Sequence, residues 1–191
     1  MDGKRLVFIG SVMAMAGSPV QAGDGEDRPG FHHENLITVG VMFAPLGTRV
    51  RYQRVLKENL SAFGILGYGA KDDWFGSGYN AQRISGELGV DLHPMGKNLH
   101  GFYTGPRVGY QSWSLTEDVE QNATVYPMTT LEFDAAAGWR WVANSGFTAL
   151  LGLNIGYSIF SQDDDLEDIG ITVNRSNGVR LGGDFALGWS F

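Results

Sequence analysis

The ten residues GGDFALGWSF (182–191) decide the reading of the fold. From Phe185 onward every second residue is large and apolar: Phe185, Leu187, Trp189 and Phe191. The residues between them, Asp184, Ala186, Gly188 and Ser190, are small or charged. A period of two puts alternate side chains on opposite faces of a β-strand, so this segment carries one apolar face and one small, polar face. Val179 and Leu181 keep the phase further back, with Arg180 and Gly182 opposite, which makes residues 179–191 one strand.

The preceding segments repeat the pattern. In FTALLGLNIGYSI (147–159) Phe147, Ala149, Leu151, Leu153, Ile155, Tyr157 and Ile159 oppose Thr148, Gly152, Asn154, Gly156 and Ser158, with Leu150 the exception. In TLEFDAAAGWRW (130–141) Leu131, Phe133, Ala135, Ala137, Trp139 and Trp141 oppose Thr130, Glu132, Asp134, Gly138 and Arg140. GFYTGPRVGYQSW (101–113) and RISGELGVDL (83–92) alternate likewise. LITVGVMFA (36–44) and TRVRYQRVL (48–56) alternate less cleanly, and LSAFGILGYG (60–69) shows no readable phase. These are eight strands, the even number that a closed antiparallel barrel with both ends on one side requires.

The connections follow a rhythm. Residues 57–59, 94–97 and 143–146 are short links, whereas 71–80, 116–127 and 161–178 are longer and polar; only the short PLG (45–47) departs from the alternation. Short turns on one side and long loops on the other are the division of an outer-membrane barrel. The first 22 residues read as a secretory signal, with Lys4 and Arg5, the apolar run LVFIGSVMAMAG and small residues before a cut after Ala22. Residues 23–34 form a lead, and 35–191 the barrel domain. The chain has no Cys and a net charge of −7, so it owes nothing to disulfides and makes a poor partner for nucleic acid.

Alternation alone does not separate a lipid-facing barrel from a soluble lipocalin-like carrier; the polar face does. All four lysines, Lys4, Lys57, Lys71 and Lys97, lie in the signal or in connections, and every strand cation is Arg. One face collects Arg49, Arg51, Arg83, Arg107, Arg140 and Arg180 against Glu87, Asp91, Glu132, Asp134 and Asp184. A nearly balanced set of charges among Gly, Ala and Ser suits the interior of an eight-stranded barrel, which has room for side chains and little else. Each such charge needs a partner there, and the planar guanidinium pairs carboxylates two-handed. The expected interior network is therefore Arg51, Arg83, Glu87, Asp91, Arg107, Glu132, Asp134, Arg140, Arg180 and Asp184. The aromatics divide into two bands: Trp139, Trp141, Phe147, Trp189 and Phe191 beside the short turns, and Tyr68, Trp74, Tyr79, Tyr110, Trp113, Tyr126, Tyr157 and Phe160 beside the long loops. Two such bands are the interfacial girdles of a membrane barrel, and Arg54, on the apolar face near a turn, can snorkel to water.

The signal, the eight alternating strands and the terminal WSF resemble the small outer-membrane barrels of Gram-negative bacteria, the OmpA/OmpX-like superfamily. That resemblance implies that Leu187, Trp189 and Phe191 form the last-strand signal read by the barrel assembly machinery, with periplasmic chaperones escorting the chain and outer-membrane lipid surrounding it.

No constellation for catalysis stands out. His32 and His33 lie in the lead and His93 and His100 flank a short turn, so no His is near a Ser at the long-loop end, where a lipid A-modifying enzyme would work. The acidic run DDDLED (163–168) lacks the Gly and distal Glu of an EF-hand loop. The sequence leads to the expectation of an all-β, eight-stranded, up-and-down transmembrane barrel: a monomer without cofactor, catalytic residue or metal, structural or surface-interacting in role. The alternatives are a lipid A-modifying enzyme, a narrow porin-like pore or a soluble carrier.

Overall fold

The computed structural model describes residues 33–43, 46–72, 79–94, 99–117, 125–162 and 177–191. The signal, Trp74, the run 163–168 and all but the end of the lead lie outside these residues. Eight strands, β1 (Asn35–Phe43), β2 (Leu46–Lys57), β3 (Leu60–Lys71), β4 (Tyr79–Leu92), β5 (Gly101–Glu117), β6 (Val125–Val142), β7 (Phe147–Gln162) and β8 (Gly178–Ser190), each pair antiparallel with the next. β8 returns to β1, so the sheet closes into a barrel without a crossover. The closing ladder runs from Leu36↔Ser190 to Gly40↔Ala186, and Asn35 and Phe191 exchange both backbone hydrogen bonds at 2.9 Å. The terminal residue is thus the last rung of the seam as well as an aromatic side chain on the outside.

Burial follows the sequence period. In β6 Leu131, Phe133, Trp139 and Trp141 are exposed while Thr130, Glu132, Asp134, Ala136 and Arg140 are buried. β7 and β8 do the same, with Leu151, Leu153, Ile155, Tyr157, Leu181, Phe185, Leu187, Trp189 and Phe191 outward. The barrel carries its apolar residues on the outside and its charges within, the inverse of a water-soluble core. Leu150 breaks the alternation because it points inward, against Tyr103 and Ala186.

The structure corrects the sequence reading in three places. β3 shows no readable phase because both its faces are apolar: Phe63 and Ile65 point in and are buried, whereas Leu66 and Tyr68 are exposed. Trp113 and Tyr126 do not belong to the outer girdle. With Ala81, Leu115 and Met128 they form a buried cluster inside the loop end of the barrel, against which the partly buried Phe160 packs. The link after β4 takes up the whole interval 93–100 between the expected strand bounds Leu92 and Gly101, not 94–97 alone. Leu99, just before β5, is buried with Leu36 and Val142 and so helps to close the turn end of the barrel. The 143–146 turn is tighter: Gly146, at φ +90, donates to Ala143 O, and its carbonyl accepts from the Ser190 amide, each at 2.8 Å.

Candidate functional site

The interior is the site that the sequence singled out, and it is organised in tiers. Nearest the turn end, Asp91 on β4 is wholly buried and is the hub of the lowest tier. It pairs with Arg51 of β2, accepts from Gln53 Nε2 at 3.0 Å and accepts from Arg140 Nη2 of β6 at 3.0 Å. Arg140 also donates to Gln53 Oε1 at 2.8 Å and to the Leu99 carbonyl at 3.3 Å, tying Leu99 to the barrel wall. Gln53 uses its second amide hydrogen on Ser61 Oγ at 2.5 Å, and Ser61 contacts His93 Nε2 at 3.0 Å. His93 lies in the turn past β4, where burial and the Arg140 guanidinium hold its pKa down to about 4.

In the middle tier Asp184 of β8 takes Arg49 on Oδ1 and Arg107 on Oδ2, each at 2.5 Å, and Arg107 also lies 3.4 Å from Glu87. The upper tier is Arg180. It holds Asp134 with two nitrogens, Nε at 2.9 Å and Nη2, and Glu132 with Nη1 at 2.6 Å. This fork-on-carboxylate geometry is one that Lys cannot make. Nearer the loops, the Arg83 guanidinium lies 4.9 Å from the Trp113 ring centre, beneath the apolar cluster of the loop end.

Aromatic rings fill what the ion pairs leave. Arg51 lies 3.7 Å and Arg107 5.2 Å from the centre of Phe63, and Arg140 lies 5.0 Å from Tyr103, so cations are stacked on π faces as well as paired. Tyr103 fits because Gly138 and Gly152, opposite each other on β6 and β7, have no side chain; a Cβ on either would meet its hydroxyl. An internal cavity of about 10 Å³ beside Thr38, Arg49, Ile65 and Asp184 has room for about one water molecule.

All ten residues of the expected network lie on the inner face; nine of them form the three tiers described, and Arg83 lies over the ring of Trp113. The sequence reading did not bring in Gln53, Ser61, His93, Phe63 or Tyr103. Gln53 and Tyr103 were legible by parity, two residues beyond Arg51 and four before Arg107 on the same strands. Ser61 and Phe63 sit on the unphased β3, and His93 lies beyond a strand end. The Ser61–His93 contact is a nucleophile–base pair in outline only. Ser61 is wholly buried and His93 nearly so, and the Ser oxygen is already engaged by Gln53, so no carbonyl can reach it.

No protein-family model matches the chain, and no curated protein matches it in sequence. Among solved structures the fold is similar to that of a major outer membrane protein from Thermus thermophilus, with a TM-score of 0.54 at 17% identity over 83% of this chain and 99% of that one. At that identity the likeness is one of fold: a closed antiparallel barrel of an outer-membrane protein.

Proposed function

We propose that this chain is an integral outer-membrane barrel of the small OmpA/OmpX-like type, exported by its N-terminal signal, monomeric and non-enzymatic, with a structural or surface-interaction role. The observation that carries this reading is the outward face. Among the described residues, the only charged side chain that it carries away from the strand ends is Arg54, while the six strand arginines of the other face and the carboxylates Glu87, Asp91, Glu132, Asp134 and Asp184 point inward. A soluble barrel of this size would have to hold those charges in its core and expose Leu, Ile and Phe to water, which reverses the hydrophobic balance.

Dimensions agree with a bilayer. On β6 the outward residues run from Leu131 to Trp141; ten residues at about 3.4 Å each, tilted by about 40°, rise about 26 Å, against an apolar band of about 25 Å in such barrels. Exposed Trp139, Trp141, Phe147, Trp189 and Phe191 lie at the turn end, and exposed Tyr68, Tyr110 and Tyr157 toward the loop end. The tiered ion pairs, with an apolar cluster at each end, favour a filled interior over a pore.

The test is electrophoretic mobility of protein from an outer-membrane fraction, boiled and unboiled, beside a chain lacking Phe191. A shift on boiling, with assembly impaired when Phe191 is absent, is the expected outcome. A protein without a shift, found soluble in the periplasm, would refute the proposal.

A further inference from the structure

The outward face changes its chemistry at one level on four adjacent strands. Toward the turn end the outward residues are the exposed Ile84, Tyr110, Leu131 and Ile159. One outward step nearer the loops they become Gln82 on β4, Ser112 on β5, Thr129 on β6 and Ser161 on β7; β5 continues with Ser114 and Thr116, whereas β6 continues with the exposed Pro127 and Val125 that pair with them. These residues are neighbours across the sheet, since Gln82 pairs with Ser114, Ser112 with Thr129 and Thr129 with Ser161. The inner face inverts at the same level, from Arg83, Glu87 and Glu132 to the apolar cluster around Trp113 and Tyr126. On β4, β5 and β7 a wall that is apolar outside and charged inside thus becomes one that is polar outside and apolar inside, with β6 returning to Pro127 and Val125 outside beyond Thr129, and this change marks the place where the wall leaves hydrocarbon.

The emerging polar residues carry no charge. Some exposed strand ends are charged, as at Lys57, Glu58, Lys71 and Asp72, whereas the exposed turn residues 143–145 are not. A surface for phosphate would need Arg or Lys. Hydroxyls and one carboxamide both donate and accept, which matches the hydroxyls of sugars. The patch also begins directly above Tyr110, without a break from the lipid-facing band. We propose that the outward face formed by Gln82, Ser112, Ser114, Thr116, Thr129 and Ser161 binds the saccharide part of the glycolipid in the outer leaflet. Thr116 stands four residues beyond Ser112, about 10 Å higher, so the surface spans several sugar rings. This proposal rests on the outer-membrane reading above.

The absence of Cys allows single nitroxide labels to be placed directly. Labels at S114C and T116C, with V108C and L88C as references, are read in vesicles of phosphatidylcholine alone, with lipid A, and with lipopolysaccharide carrying its core sugars. The expected result is free collision of the Ser114 and Thr116 labels with a water-soluble nickel chelate in the first two, and a several-fold fall with lipopolysaccharide. Replacing Gln82 and Thr129 by Ala in the S114C chain should reduce that fall by about half. Labels already shielded in phosphatidylcholine, no fall with lipopolysaccharide, an equal fall with lipid A alone, or a fall that the Ala replacements leave unchanged, which would be crowding only, each overturn the proposal. Reference labels open to the chelate in phosphatidylcholine would instead overturn the membrane reading itself.

Discussion

Removing Arg140 tests whether the inner charges hold the barrel together. Its side chain is 0% exposed and joins Asp91, Gln53 Oε1 and the Leu99 carbonyl, 3.0, 2.8 and 3.3 Å away. In Arg140→Ala, Asp91 keeps Arg51 and Gln53, but Gln53 Oε1 and the Leu99 carbonyl lose this donor where water does not reach. Breaking a buried pair costs about 3–5 kcal/mol, and each orphaned polar group by itself about 1–3. The retained Arg51 partner places the expected loss near the lower end, about 3 kcal/mol. Arg180→Ala removes more hydrogen bonds, yet the Arg180 side chain is 29% exposed, so water can reach the carboxylates it leaves and the loss should be smaller, about 1–2 kcal/mol. Arg140→Lys should recover only part, because one ammonium cannot span three acceptors. Arg54→Ala, on the outer face, should stay within about 0.5 kcal/mol. The assay is reversible denaturant unfolding in lipid vesicles, followed by tryptophan fluorescence. Equal midpoints for Arg140→Ala and Arg54→Ala, or a larger loss for Arg180→Ala than for Arg140→Ala, would refute the reasoning.

Three other outcomes follow from the same geometry. Gly152→Ala sets a methyl against the Tyr103 hydroxyl and should cost about 1–3 kcal/mol, of which Tyr103→Phe in the same chain restores a substantial part; the unfolding midpoint of the double variant reads this directly. His93, held neutral down to about 4, binds a proton in the unfolded chain first, so its contribution to stability is present above pH 6.5 and falls as pH drops from 6.5 toward 4. Stability measured across that window should slope less in His93→Gln, and an identical slope would remove His93 from the account. In planar bilayers the protein should show no stable conductance; steady single-channel steps would mean that the tiers part in the native state.

The alternation of residues determined that these segments are strands and which side of most of them is apolar, because a side chain's face follows from parity alone. It also collected the charged residues onto one face, since that face is read strand by strand without knowledge of partners. The tertiary structure decided everything that parity leaves open. Closure and stagger select which strands face one another across the interior, so they set Arg180 on Glu132 and Asp134, Asp184 between Arg49 and Arg107, and Asp91 between Arg51 and Arg140. They also gave the mute strand β3 its inward side, where Phe63 is covered by guanidinium groups that belong to β2 and β5. At the loop end, parity placed Trp113 inward with Arg107, but aromatic character near a strand end suggested a girdle; only the cluster with Tyr126 and Met128 showed that ring turned into the barrel. Local pattern encodes direction, whereas the partner a buried charge finds depends on residues up to 135 positions apart in the chain, and the closed sheet alone brings these together.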